Sequence, residues 1–513
     1  MSTQLAEVLQ LLTDFPNEQT VLTEALRVNQ SLPEPEDAVW KSGTQQKLLS
    51  DCLGRLAALT TPPAFSDDND EDLDAGAALA KERFLRDLQP LIRLANSFSK
   101  RLANPSEPAT RRELDLRARL VLSFGRFTTQ SRVANEPPAS ALCYGLLSQP
   151  AFIRLPLLRH LLSVSLPPYF KPHPKLNPST GRVLSRPLGG DSGIQHWYEE
   201  SEDALSSWRR QPGLGAVVEL VIKVLQPGEI EDLWPLLLPP MLAYLDDYDA
   251  KNKLVGLSLL DALLLKVDAS LLRRTGVGKV FEKSLDLCFS SLSDPLTPDL
   301  LERAHPVAIR LLSLQYPPFN PSRPTDKDDS ARFAALCSLL ASSVVKAWEF
   351  KGGNVDVETV SCRALPPLLD TLGSGSIRYL QILVPHLADL LSTTATAGGQ
   401  GTWTLETVEL MAEACRALSS VVENGRLRIR RWEGKVGGAV AQCWVGMNES
   451  LAAKKLRSTE AGGMAMKGLE VGLQKVMAAL GEATGSEQAI VERMYRLDPS
   501  FDRLVLRAPA DVQ

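Results

Sequence analysis

Residues Glu229–Val267 read EIEDLWPLLLPPMLAYL, then DDYDA, then KNKLVGLSLLDALLLKV. The first run is apolar on nearly all sides, and the second places Leu254, Leu257 and Leu260 on one face. This spacing is typical of α-helices. A helix that is apolar on most sides has to be enclosed by others. The stretch therefore predicts a helical hairpin inside a larger helical protein.

The turn between the two runs is acidic. Asp249 stands where the second helix begins and can cap its free backbone N–H groups. Because the acids and the lysines behind them frame this junction, we expect a structural role in the turn rather than contact with a partner. The residues are Asp246, Asp247, Asp249, Lys251 and Lys253.

A helix, an aspartate turn and a basic helix together resemble a HEAT repeat. The run Leu238–Leu242 (LPPML) is echoed by Leu365–Leu369 (LPPLL), about three HEAT periods of roughly 42 residues further on. Chance likeness between two Leu-rich helices is the alternative. We expect an all-α protein, an α-solenoid of irregular HEAT-like helical hairpins with an irregular helical N-terminal part.

Composition shifts divide the chain into three parts. Residues 1–165 form the irregular helical region, with an acidic loop near 61–76 that is either solvated or a docking peptide. Residues 166–204 are rich in Pro and Gly and read as a strap or linker. Residues 205–513 form the HEAT-like solenoid.

The Pro-rich segment 166–193 is incompatible with a regular helix or a central strand. A loop of this length is either functional or a flexible connector. Tyr169, Phe170 and Lys171 combine aromatic and basic side chains, so this segment is a candidate partner-docking strap.

A second candidate surface is a basic cluster between two predicted helices. Its members are Arg426, Arg428, Arg430, Arg431 and Trp432. Arginine and tryptophan are favoured at protein interfaces, so partner binding competes with a merely solvated face. Nucleic-acid contact is the weakest reading, because the cluster is short. Lys454, Lys455 and Arg457 form a similar exposed helix face.

Bulk composition describes a soluble globular protein. Of the 513 residues, 44% are apolar and 23% charged, and the net charge is −5. These values exclude a membrane channel, a collagen-like fibre and a fully disordered chain, and they do not favour nucleic-acid binding. No signal peptide and no long uninterrupted apolar run is visible. The seven scattered cysteines read as buried apolar residues in a reducing compartment.

Catalytic motifs fail on inspection. Gly190–Gly193 (GDSG) matches the string around a serine nucleophile, but that chemistry needs a positioned His and Asp on a β-barrel fold. A phosphate loop at Thr275–Lys279 is excluded because Arg273 and Val280 occupy its required positions. The five histidines are isolated. We therefore expect no enzyme, no metal and no cofactor.

The segment Trp208–Leu257, above all LDDYD followed by KNKLVGL, resembles the Tel-two-interacting protein two family. The likeness is clear over residues 205–310 and looser to 480. It implies a non-catalytic subunit of the Tel–Tti–Tti cochaperone complex, with the larger Tti subunit and the Tel-two subunit as partners. It further implies indirect ties to the heat-shock chaperone machinery, phosphatidylinositol-3-kinase-related protein kinases as clients, and a cytoplasmic and nuclear location. The rival readings are a transport or adaptor solenoid and an enzyme hidden in the N-terminal half.

Overall fold

The protein is all-α in a computed structural model that describes residues 2–15, 20–35, 40, 42–61, 75–102, 110–128, 136–188, 208–316, 327–396, 403–485, 496, 501 and 504. Over these ranges there are helices and turns but no β-strand, and an isolated antiparallel bridge joins Leu176 to Val183. The expected helical fold class is confirmed. The acidic run 67–74, the Gly190–Gly193 string and the linker beyond residue 188 lie outside the described residues.

The chain groups into two compact units. The first comprises Met1–Tyr248 and Val255–Phe281, and the second comprises Asp249–Leu254 and Glu282–Gln513. This differs from the division expected from composition. The described part of the expected linker, residues 166–188, lies inside the first unit together with helices on both sides of it.

In chain order, the first twelve helices are α1 Ser2–Asp14, α2 Thr20–Gln30, α3 Gly43–Leu59, α4 Ala75–Ser99, α5 Arg111–Phe124, α6 Pro137–Leu147, α7 Ala151–His160, α8 Leu214–Val224, α9 Pro227–Leu245, α10 Ala250–Leu264, α11 Ala269–Thr275 and α12 Val277–Ser290. Both α10 and α12 contain residues of the two units, and the other ten helices belong to the first unit. Alternate helices pack together. α1 lies on α3, α3 on α5 and α5 on α7, while α2 lies on α4 and α4 on α6. The N-terminal part therefore stacks in two rows, as helical hairpins in a solenoid do.

The second unit continues with α13 Thr297–Gln315, α14 Lys327–Leu339, α15 Lys346–Lys351, α16 Val355–Leu372, α17 Leu380–Thr396, α18 Leu405–Asn424, α19 Glu433–Glu449, α20 Leu451–Arg457 and α21 Glu460–Thr484. One row is α13, α16, α18 and α21, each packed on the next. The second row pairs α17 with α19. The predicted solenoid arrangement is thus present within this unit.

Both Pro-Pro pairs of the sequence repeat lie inside helices. Pro239 and Pro240 belong to α9, and Pro366 and Pro367 belong to α16. The leucines around them are fully buried: Leu238, Leu242, Leu365 and Leu369. An interior proline removes a helical hydrogen bond, and packing on several sides offsets that cost.

By length and composition, the helical run Asp329–Lys351 could cross a membrane, as could the bent pair Pro137–Leu147 and Ala151–Ser165 taken together. In the protein, 44% of the apolar window in Asp329–Lys351 is buried. Core helices of soluble proteins pass the same length test, so the expected absence of membrane contact stays a prediction.

Candidate functional site

The structure describes the strap over residues 166–188. Its first half places the aromatic side chain of Phe170 in the core. Phe170 is only 3% exposed. Its ring stacks on Trp208 with centroids 6.1 Å apart, and Trp208 lies 4.4 Å from Tyr244 of α9. The expected docking role of Phe170 is therefore corrected: its aromatic surface is already used inside the first unit.

Tyr169 is half-buried and bonds to the side chain of Arg126. The Arg126 guanidinium also donates to Gln211 Oε1 at 3.0 Å and to the Leu122 carbonyl at 3.2 Å. Burial lowers the pKa of Arg126 from its ordinary value. Tyr169 thus helps to satisfy a buried cation, and of the three predicted strap residues Lys171 alone is exposed.

The second half of the strap lies against α9 and α11. Gly181 has a φ of 63°, and a Cβ there would lie 2.7 Å from Cδ1 of Trp234. The Val183 N–H donates to the Thr275 carbonyl at 3.0 Å. Only glycine combines this left-handed backbone with so close an approach. Residues 166–188 are a packed cover rather than a free connector.

Asp246 meets the strap at a buried histidine. His173 Nε2 lies 3.6 Å from Asp246 Oδ2, with side chains 2% and 5% exposed. His173 Nδ1 accepts a bond from the Lys175 N–H at 3.2 Å. One ring nitrogen of His173 therefore binds the strap backbone, and the other faces the Asp246 carboxylate.

Asp247 holds the segment that precedes α8. Arg209 Nε donates to Asp247 Oδ2 at 2.7 Å, and the aspartate side chain is completely buried. The guanidinium also lies 5.4 Å from the ring centre of Trp208 and 4.8 Å from that of Tyr248. A buried ion pair stacked on aromatic rings fixes the turn in one arrangement.

The last three turn residues belong to the second unit. Asp249 Oδ1 accepts the Lys251 N–H at 2.8 Å, at the start of α10. Lys253 is 6% exposed, and its Nζ donates to Ser291 Oγ at 2.8 Å. Each of these contacts of the turn residues joins two residues of the same unit.

Gly256, in the most specific part of the sequence resemblance, lies where α9 and α10 touch. A Cβ on Gly256 would lie 2.7 Å from the backbone N of Leu245 and 2.9 Å from its Cα. Backbone atoms cannot move aside as a flexible side chain can. The glycine in KNKLVGL is explained by this approach.

The basic cluster forms a 3₁₀ turn, Ile429–Trp432, between α18 and α19. Ile429 is fully buried and anchors the turn. Arg426, Arg428, Arg430 and Arg431 are exposed, and Trp432 is half-buried. Arg426 lies 3.2 Å from Glu482 of α21. We call residues 426–432 the arginine surface.

The cysteine thiols are buried inside the protein. All seven cysteines are free and buried, and burial raises the pKa of the Cys52 and Cys443 thiols to about 12. Thiols with raised pKa are poor nucleophiles. In the part of the chain that the structure describes, no three His, Cys, Asp or Glu side chains come together as metal ligands would.

Arg126 and Arg209 were missed by sequence reasoning as structural partners. A single arginine among polar neighbours gives no local signal, and the groups that satisfy each of these two lie on other segments. Trp208-Arg209-Arg210 did, however, belong to the stretch that carried the family resemblance.

Comparison with known proteins gives one family match. The sequence model of the Tti2 family matches residues 121–397, a range that includes the described strap and the aspartate turn. No curated protein matches the chain.

Solved structures are similar only at a distance. An engineered protein is 13% identical over 97% of each chain, with a TM-score of 0.34. Kap121p is 12% identical over 98% of this chain and 56% of its own, with a TM-score of 0.31. Kap121p bound to Nup53p is 11% identical over the same shares, also with a TM-score of 0.31. The chain thus spans little more than half the length of Kap121p.

Proposed function

The chain belongs to the Tti2 family, and from this membership we propose that it is a non-catalytic scaffold subunit of a Tel–Tti–Tti type cochaperone complex. Its proposed role in that complex is to support the maturation and stability of phosphatidylinositol-3-kinase-related protein kinases. The observation that carries the proposal is the family match over residues 121–397.

The contacts of the strap and the aspartate turn, which lie within the matched range, support a scaffold. In the strap, His173 faces Asp246, and in the aspartate turn Asp247 pairs with Arg209. Gly256 allows α9 and α10 to approach closely. Stacked helical hairpins offer long surfaces over which several anchors together give affinity. A scaffold of this kind acts by binding its partners. The polar side chains described above stabilise the fold of the chain itself.

The proposed direct partners are the larger Tti subunit and the Tel-two subunit, with the heat-shock chaperone machinery and client kinases bound indirectly. We propose that the protein acts in the cytoplasm and nucleus. Seven free, buried cysteines support that location, because reducing compartments keep thiols unpaired.

The test is affinity purification of the tagged chain from its own cells at moderate salt, with mass spectrometry of the bound proteins. Recovery of both named subunits together with giant kinases of this class supports the proposal. Depletion of the chain should then lower the abundance of those kinases without lowering their transcripts.

Two results would overturn the proposal. Recovery of nuclear-pore proteins and varied cargo, without the named subunits, would assign a transport or adaptor role. Unchanged kinase abundance after depletion would remove the maturation function even if the complex forms.

A further inference from the structure

The arginine surface carries cations that its own protein does not neutralise. The guanidinium groups of Arg428, Arg430 and Arg431 make no ion pair or side-chain hydrogen bond with any residue that the structure describes. Arg416, another exposed arginine of the second unit, lies 2.8 Å from Glu413. The exposed cations Lys454, Lys455 and Arg457 of α20 include a single guanidinium group, whereas residues 428–431 carry three unpaired guanidinium groups on one turn.

The same turn displays an exposed apolar side chain. Leu427 is 80% exposed, whereas Ile429, two positions on, is fully buried. Ile429 holds the turn to the core, so its neighbours on both sides project into solvent. An exposed leucine flanked by arginines offers both an apolar contact and charge, and half-buried Trp432 lies beside them.

Two carboxylates of the second unit pair with cations in or next to the arginine surface. Arg426 holds Glu482 at 3.2 Å in a pair whose two side chains are 53% and 67% exposed. Next to the turn, Lys435 of α19 pairs with Asp389 of α17. Guanidinium groups bind carboxylates through two parallel hydrogen bonds, so three more acids could be matched by the free arginines.

We propose that the arginine surface docks an acidic peptide segment of a partner protein, with Arg428, Arg430 and Arg431 binding its carboxylates and Leu427 contacting an apolar side chain between them. A protein segment fits better than nucleic acid. Strands of nucleic acid are held by a longer basic track with several stacking aromatics, and this turn has one tryptophan in a protein of net charge −5.

Fluorescence anisotropy of the purified full chain tests the docking. The probe is a labelled peptide of about 12 residues that alternates Glu or Asp with Leu. The variant Arg428→Glu/Arg430→Glu/Arg431→Glu should raise its Kd at least about tenfold, since the charge pairs become repulsive. Leu427→Ser should weaken binding by roughly threefold, because an apolar contact is lost.

The matched control is Lys454→Glu/Lys455→Glu/Arg457→Glu on α20, which also turns three exposed cations of the second unit into anions. Its Kd should stay within about twofold of the wild type. All three arginines are exposed, so melting curves of both variants should match the wild type and confirm that the fold is intact.

If both triple variants weakened peptide binding equally, the loss of affinity would be explained by net charge alone, and the proposal would be overturned. So would a peptide with Asn and Gln in place of the acids that binds equally well, or a thymidine oligonucleotide of similar length that binds more tightly. The assay uses the purified chain alone, so its result is independent of whether the cochaperone complex forms in cells.

Discussion

The Asp247 carboxylate lies 2.7 Å from Arg209 Nε, and none of the aspartate side chain is exposed. The two residues are 38 positions apart, and their pair ties the end of α9 to the segment that leads into α8. Because a buried charge is stable only when paired, each residue of this pair constrains the position of the other.

Replacing Asp247 with Ala should destabilise the first unit by about 3 kcal/mol, since Arg209 loses its buried counter-charge. Chemical denaturation followed by circular dichroism measures this loss. Asp249→Ala is the control: it removes a helix cap and should cost only about 1 kcal/mol. Equal losses for the two variants would show that the Asp247 pair is no stronger than a surface cap.

Gly256→Ala should destabilise the protein strongly, because the added Cβ meets the Leu245 backbone at 2.7 Å. We expect a loss of at least roughly 2 kcal/mol, as in overpacked cores. Gly438→Ala in α19 is the matched control. Its Cβ meets nothing within 4 Å, so it should stabilise by about 0.5–1 kcal/mol through helix propensity. Thermal melts that shift in the same direction for both variants would refute the close approach.

Leu257→Asp should unfold the first unit. Leu257 is 1% exposed, and an unpaired carboxylate at such a site costs several kcal/mol. The variant should lose the part of the helical signal in circular dichroism, and of the melting transition, that the first unit contributes. A melting profile like that of the wild type would show that α10 does not present this face to the core.

His305 should make the second unit less stable in mild acid. Burial lowers its pKa from 6.5 to about 4. Its Nδ1 lies 2.7 Å from the Leu301 carbonyl, and its buried Nε2 has no partner among the described residues. Between these two pH values the unfolded chain binds the proton and the folded chain does not, so stability falls as pH falls, by roughly 3 kcal/mol in all.

The matched variant for this effect is His305→Phe, which keeps a ring against Phe289 at a centroid distance close to the present 5.1 Å. Denaturation midpoints at pH 7 and pH 4.5 should differ less in the variant than in the wild type. At about pH 7.5 and above the histidine contributes almost no pH dependence, because it is then neutral in both the folded and the unfolded state. Identical pH profiles for the two proteins would contradict the buried neutral histidine.

The helices and their pairing into HEAT-like hairpins could be predicted because their signals are local. Apolar spacing in Glu229–Val267, the repeated Pro-Pro pairs and the capping Asp249 each depend on residues within a few turns of one another. The exposed arginines were equally predictable, since charged side chains stay in water unless something pairs with them. The family resemblance rested on the same local words, and it was confirmed over residues 121–397.

The strap shows where sequence reasoning stopped. Phe170 and Lys171 are neighbours in the chain, yet Phe170 is 3% exposed and Lys171 lies on the surface. Composition alone does not distinguish an aromatic residue exposed for partner binding from one that stacks on Trp208 inside the protein. The compact units likewise depend on which helices pack together, so the composition shift at 166–204 did not locate them.

The sequence by itself determined the helical class, the positions of the turns and the family, because these follow from periodicity and short motifs. Only the tertiary structure decided that Asp247 meets Arg209, that His173 meets Asp246 and that Gly256 admits the Leu245 backbone. Each of these contacts joins different segments of the chain. Their geometry comes from how the helices pack, and no local pattern encodes a distance between atoms on separate segments.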